Sequence, residues 1–482
     1  MRVFNDIEGL VYYATVHLML DELDTVMVRN QIIDELNIKD YIISEVDYAA
    51  IEELQDPNSL LTPIVDYAVG TNIIHESVKD AFSSKLMSIL SKRPSELAEV
   101  FLDTLKQSKH TNVNFANELK SPQKATDWFY DYNIKNGYIN LSKLDKNIFW
   151  EAKGTTGKIE LVVNLLGTDS SNLSNKKDAY PECELCLENE GNAAKLKHTM
   201  RTMPINIINQ EWFWYYAQNG VISQQFYAVS SDHVQKRSEK NNLQTLFDFN
   251  KILPHYFVGF ESDSVQSKHQ YILGGHKNMP LFKVKNQKTY LTKQFPLVEI
   301  QEVEWYNNVL RVVGVDSFRM LECGNAIIDE WQRMSKQNTF VTALHRDREG
   351  RFFLDIVLCD ATKLSNESCS IRTSPLKLFD FLGLFELDKT MQDDIVELEK
   401  FATKETKFVA DKLSDKLKKH KSLIEKLLKE VGSSKATSKE AQLYVREELS
   451  SIAEQVLIKN SVFESQKDKD DFYKKFNFDA KK

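Results

Sequence analysis

Ile159-Glu-Leu-Val-Val-Asn-Leu165 is the first of the β-rich stretches that replace a helical pattern from about Tyr138. Its apolar, β-branched run reads as a strand. Upstream the pattern is helical. Ile7, Leu10, Val11, Ala14 and His17 recur at three- and four-residue steps, as do Leu97, Val100, Phe101 and Leu105, with breaks expected at Pro57, Pro63 and Pro94. Downstream, Gln225 to Val229, Val309 to Val315 and Phe352 to Leu358 read as further short strands. Helices over Leu243 to Ile252, ahead of Pro254, and over Met320 to Met334 punctuate them. This is the pattern of an α+β domain with a mainly antiparallel sheet.

From about Lys389 the chain turns helical and charged, with Ile395 to Leu428 rich in Lys and Glu. A Gly-Ser-Ser-Lys-Ala-Thr-Ser hinge over 432–438 precedes a last helix, Lys439 to Lys459. The lysine-rich run reads either as a partner-binding surface or, more simply, as a solvated helix face. Three regions result: a helical N-terminal module over 1–137, an α+β domain over 138–388 and a helical C-terminal region over 389–482.

Bulk composition narrows the function classes. A chain of 482 residues, 42% hydrophobic and 27% charged, can bury a sizeable core and has the balance of a folded globular protein. A formal net charge of -8 argues against a nucleic-acid partner, since no general basic surface exists to meet phosphates. No apolar run approaches the roughly 18 residues that span a bilayer. Asp6, Glu8 and His17 interrupt the first twenty residues, unlike a signal peptide. A cytoplasmic protein without a membrane partner is expected.

Five cysteines are too few and too scattered for a disulfide framework; Cys323, Cys359 and Cys369 are expected to be ordinary buried thiols. Cys183 and Cys186 differ, lying in Tyr180-Pro-Glu-Cys-Glu-Leu-Cys-Leu-Glu-Asn-Glu-Gly191. Two thiols separated by two residues can wrap one ion in a tight turn. A redox dithiol is the other reading of the spacing, although the strand-then-helix context of such sites is missing. A closed tetrahedral site needs two more ligands. The candidates are His233, just after the strand ending at Val229, and His269, ahead of Gly274-Gly275-His276.

Several segments, in order, resemble the class II galactose-1-phosphate (hexose-1-phosphate) uridylyltransferase family. They are Leu23-Asp24 with Val28-Arg29-Asn30-Gln31, Lys85-Leu86-Met87 with Arg93-Pro94-Ser95-Glu96, and Ala125-Thr126-Asp127-Trp128-Phe129-Tyr130. Lys146-Asn147-Ile148, Tyr180 to Gly191, Phe249 with Pro254-His255-Tyr256-Phe257-Val258-Gly259, and Val445 to Phe476 follow. The resemblance implies a histidine-triad-like half-barrel sheet with flanking helices. It implies a ping-pong reaction in which a histidine accepts UMP from UDP-glucose and passes it to a sugar phosphate. It implies a structural zinc ion on Cys183, Cys186, His233 and His269, and a nucleotide sugar or sugar phosphate as ligand. It also implies self-association as a homodimer, and a protein partner is the other expectation for a binding role.

Carried over by position, the family's nucleophilic segment falls on Lys268-His269-Gln270-Tyr271-Ile272-Leu273-Gly274-Gly275-His276. Tyr271 stands where the nucleophilic histidine is expected, and Leu273 where a glutamine would bind phosphoryl oxygens. His276 is the neighbouring histidine left to test. The family's Asn-Glu-His appears as Ser223-Gln224-Gln225, and its His-Asn-Thr-Ile-Thr-Pro as Gln337-Asn338-Thr339-Phe340-Val341-Thr342. Arg201 is the surviving cation of a shortened His/Arg segment. Candidate ligand-binding residues are therefore Arg201, Gln225, Gln337 and Asn338. Losses concentrated at the reacting centre point to a pseudoenzyme that keeps its zinc and scaffold. The alternative is a nucleotidyltransferase that uses Tyr271 or direct transfer.

Overall fold

The computed structural model describes residues 2–42, 45–106, 115–167, 180–181, 183–208, 210–231, 240–261, 270–364, 371, 376–409, 413–432, 435–476 and 479–480. Helices α1 (Arg2–His17), α2 (Thr25–Glu35), α3 (Tyr48–Glu52), α4 (Asn58–Gly70), α5 (Lys79–Leu90), α6 (Pro94–Lys106), α7 (Phe115–Lys135) and α8 (Leu141–Leu144) come first. Pro63 does not break its helix. It lies inside α4, where burial of the adjacent Ile64 and Val65 offsets one missing N–H donor.

Strands and helices then mix: β1 (Ile148–Lys153), β2 (Lys158–Val163), β3 (Met203–Ile207), β4 (Gln210–Tyr216), β5 (Phe226–Ser230), α9 (Lys240–Ile252), β6 (Phe257–Glu261) and β7 (Tyr271–Gly275). β8 (Asn286–Leu291), β9 (Glu299–Val303), β10 (Val309–Gly314), α10 (Ser317–Met334), β11 (Asn338–Arg346), β12 (Phe352–Asp360), α11 (Ala361–Leu364), α12 (Leu378–Phe381) and β13 (Leu384–Leu387) continue the chain. It closes with α13 (Thr390–Ala402), α14 (Asp415–Lys418), α15 (Lys421–Val431), α16 (Ser438–Lys459), α17 (Gln466–Lys474) and β14 (Asp479–Ala480).

The expected α+β architecture with a large antiparallel sheet and flanking helices is what the chain forms. Eleven strands run in the order β14-β8-β9-β10-β12-β11-β6-β7-β5-β4-β3, and the ladders between them are antiparallel. A small second sheet, β1-β2-β13, has its own ladder and shares a core with the large one.

Both faces of the large sheet are buried, so its central strands read as nearly continuous apolar runs rather than alternating ones. In β11 and β12, Phe340, Leu344, Leu354 and Ile356 enter one core, which they share with the N-terminal helices, α9 and α10. Val341, Ala343, Val357 and Cys359 enter the other, with β2, β13, α13, α15 and α16. The N-terminal helices and the group α13, α15 and α16 thus cover opposite faces of one sheet, while Phe472 and Tyr473 of α17 join the N-terminal side. Among the described residues no helix is long and apolar enough to cross a membrane.

Candidate metal knuckle and ligand-binding face

Cys183 and Cys186 are buried and not joined in a disulfide, in a tight turn with Cys186 N–H directed at the Cys183 carbonyl (3.5 Å). Asn189, itself fully buried, locks the turn. Its amide donates to the carbonyls of Cys183 (2.7 Å), Cys186 (3.0 Å) and Glu184 (3.1 Å). Tyr215 of β4 ties the turn to the large sheet by donating to the Leu185 carbonyl at 3.1 Å. Burial pushes the Cys186 thiol up, so without a metal it would be held neutral.

Two close thiols on a braced knuckle fit a zinc ion's need for preset sulfur donors. The two expected imidazole donors, His233 and His269, lie outside the described residues, as does Cys369. Where the chain approaches them, its strands are neighbours: Ser230 N–H donates to the Gln270 carbonyl at 3.0 Å. Among the described residues no group of three or more His, Cys, Asp or Glu is arranged to hold a metal.

β7 carries the two positions of greatest chemical interest. Side chains two apart on a strand share a face, so Tyr271 and Leu273 point the same way while Ile272 enters the opposite core. Tyr271 is half-buried, its ring 6.3 Å from that of Tyr227, which in turn is 6.0 Å from Tyr215. Leu273 is 7% exposed and packs in the same apolar cluster as Ile222, Phe257 and Leu378. Opposite Leu273 stands Gly259. A Cβ there would lie 2.2 Å from Leu378 Cδ2, so the absent side chain is what lets α12 fill this space.

The remaining sequence-derived positions are dispersed. Arg201 is buried, and its guanidinium donates to the carbonyls of Lys92 (2.8 Å), His198 (3.0 Å) and Met200 (2.8 Å). Gln225, also buried, accepts from Val221 N–H at 2.8 Å and closes its own turn. Gln337 and Asn338 lie at the start of β11, and Asn338 donates to the Trp331 carbonyl at 2.7 Å. His276 follows β7 and is exposed.

Three features escaped the sequence reading. On the Tyr271 face, Arg311 and Asp355 form a buried two-point ion pair at 2.6 and 3.1 Å, and Arg311 also donates to the Leu281 carbonyl. Beyond it the His345 ring stacks on Phe282 and Phe353, with centroids 4.0 and 5.1 Å away. Burial and the nearby Arg311 push this imidazole down to about 3, so it is neutral at physiological pH. At the end of β7, Tyr256 donates to Gln224, whose amide donates to Asp127 at 2.7 Å, while Thr126 Oγ1 lies 2.9 Å from His255 Nε2. Burial, with His276 adding repulsion, pushes His255 down to about 3. Gln224 takes a left-handed backbone, φ 51, unusual for a residue with a Cβ. The segments holding Thr126 and His255 are visible in the sequence, but 129 residues separate them.

The chain is thus an α+β protein with a dithiol knuckle beside a large antiparallel sheet. The family described as galactose-1-phosphate uridyl transferase, N-terminal domain, matches residues 103–201. A galactose-1-phosphate uridylyltransferase of Caldanaerobacter subterraneus subsp. tengcongensis is 24% identical, over 95% of this chain and 94% of its own. That of Fusobacterium nucleatum is 26% identical over 74% and 73%, and that of Butyrivibrio fibrisolvens 26% over 70% and 87%. These likenesses support kinship with the galactose-1-phosphate uridylyltransferases. The crystal structure of yeast Ap4A phosphorylase Apa2 matches 62% of this chain and 92% of that one, at a TM-score of 0.35 and 12% identity, too low a likeness to argue from.

Proposed function

We propose that this chain is a uridylyltransferase-like pseudoenzyme that has lost uridylyl transfer from UDP-glucose to a hexose-1-phosphate, and that its zinc-braced scaffold serves a binding or assembly role. The observation that carries this reading is Leu273. At the position where the resemblance calls for a phosphate-binding glutamine, the side chain is apolar, 7% exposed and part of a cluster with Leu378, Phe257 and Ile222. A phosphoryl oxygen brought there would lose its water and find no donor. Arg201 Nε and Nη1 and the Gln225 amide oxygen are also engaged with backbone groups.

In this reading zinc is structural, held by Cys183 and Cys186 with His233 and His269. It fixes the knuckle against the sheet. Incubation with UDP-glucose and galactose-1-phosphate should give neither turnover nor a UMP adduct by intact mass; either product would sink the proposal.

The likeness to a galactose-1-phosphate uridylyltransferase over 95% of this chain and the incompletely buried Tyr271 favour a second reading, in which transfer chemistry survives. The Tyr271 phenolate would attack the α-phosphorus of a nucleotide sugar, the sugar phosphate would leave, and UMP would pass to a second sugar phosphate. An ordinary phenol pKa of about 10 requires a base or cation to supply the phenolate. An adduct mapped to Tyr271 would establish this route; turnover without an adduct would indicate direct transfer.

A further inference from the structure

A histidine pair lies at the end of β7, outside the face that carries Tyr271. Thr126 Oγ1 lies 2.9 and 3.0 Å from the carbonyl oxygens of Pro122 and Gln123, so its hydrogen is engaged there. Towards His255 Nε2, at 2.9 Å, the hydroxyl therefore presents a lone pair and accepts the ring N–H. This fixes the tautomer and leaves the in-plane lone pair on Nδ1. That Nδ1 is buried and has no hydrogen-bond partner. Orphaned Nδ1 atoms also occur at His198, His345 and His420, but at His255 a second imidazole stands beside it, so one shared ligand would satisfy the nitrogen.

Beside it stands His276, exposed, with its ring centroid 6.4 Å from that of His255 and the two planes at 75°. Its backbone is anchored, since His276 N–H donates to the Ser223 carbonyl at 3.0 Å, so only its side chain need move. An ion bound about 2.0 to 2.1 Å from two imidazole nitrogens leaves the ring centroids about 5 to 6 Å apart. A small turn of His276 closes that gap. The Asp127 carboxylate nearby is engaged by the Gln224 amide, and no third protein donor completes the group among the described residues.

We propose that His255 and His276 form a two-histidine site for a late first-row divalent cation such as Ni2+, with water in the remaining positions. Neutral imidazoles suit this class of ion, whereas alkaline-earth ions prefer oxygen donors. Thr126 supplies the outer hydrogen bond that orients a ligating histidine. The site is separate from the thiol knuckle and does not depend on the reading of the Tyr271 face.

The test is calorimetric titration of the full chain, its native metal left in place, with Ni2+. One Ni2+ should bind per chain. His276→Ala should weaken it about 100-fold, because the second donor's effective concentration is lost. Thr126→Val should weaken it by about 10- to 100-fold. His276 is exposed, so its removal leaves folding intact; circular dichroism checks the buried Thr126 variant. His75→Ala, an exposed histidine near the start of α5, should bind like the parent. Titration of His276→Ala indistinguishable from the parent, or equal loss in His75→Ala, would overturn the proposal.

Discussion

Tyr271 and Leu273 leave β7 on the same face of the large sheet, yet only Leu273 is sealed. It is 7% exposed in a cluster with Leu378, whereas Tyr271 stays half-buried with its ring 6.3 Å from that of Tyr227. One strand therefore keeps Tyr271 partly open to the face and, two residues on, fills with apolar side chains the position where the resemblance calls for a glutamine.

Leu273→Gln should destabilise the protein by about 1–3 kcal/mol, because it buries an amide with no partner; urea unfolding reads the loss. The double change Tyr271→His with Leu273→Gln should still give no UMP adduct with UDP-glucose, because Leu378 continues to fill the space opposite Gly259. Adduct formation by the double variant would show that the face opens to a nucleotide sugar.

Asn189→Ala should loosen the thiol knuckle by releasing three carbonyls at once. Zinc affinity is expected to fall about 10- to 100-fold, as for other residues that orient ligands from behind. Elemental analysis and chelator competition measure it. Cys183→Ser should abolish binding, and unchanged metal content in that variant would remove the zinc assignment.

The Arg311–Asp355 pair is buried, so deleting one partner should cost far more than deleting both. Arg311→Met leaves an uncompensated carboxylate and is expected to cost about 3–5 kcal/mol. Arg311→Met combined with Asp355→Leu should recover most of that loss in a double-mutant cycle followed by chemical denaturation. A double-variant loss equal to the sum of the two single losses would mean that the pair is not coupled.

Asp394 of α13 is buried, which by itself raises its pKa, but hydrogen bonds from His420, Lys419 and Lys416 outweigh this and hold the carboxyl below the usual range. A depressed carboxyl stabilises the fold above its unfolded value of about 3.9, and the contribution is lost as pH falls through the folded value. The packing of α13 against α14 and α15 should therefore weaken progressively below about pH 5. Asp394→Asn should be about 1–3 kcal/mol less stable at neutral pH and should show a flatter acid limb. A parent-like acid transition in this variant would assign the sensitivity elsewhere.

Local patterns carried much of this architecture. The strands expected around Ile159, Gln225, Val309 and Phe352 form as β2, β5, β10 and β12, and the expected helices form as α9, α10 and α16. β7 did not announce itself, because Tyr-Ile-Leu-Gly-Gly is short and ends in two weak strand formers. The aromatic run of β4 suits a core better than an interface, and full burial of Trp214 and Tyr216 makes it core. The stretch from Ile395 to Leu428, read as one helical run, is divided among α13, α14 and α15.

The sequence by itself determined the α+β class, the two thiols at knuckle spacing, and the tyrosine and leucine at the resembling nucleophilic segment. Each is a matter of local order, which periodicity and spacing express directly. Only the tertiary structure decided that Leu378 closes over Gly259 beside Leu273, that Arg201 and Gln225 bond to backbone, and that Thr126 orients His255 across 129 residues. A strand buried on both faces carries no alternation to show which side meets which neighbour. Those contacts are set by how the helices pack on each face of the sheet.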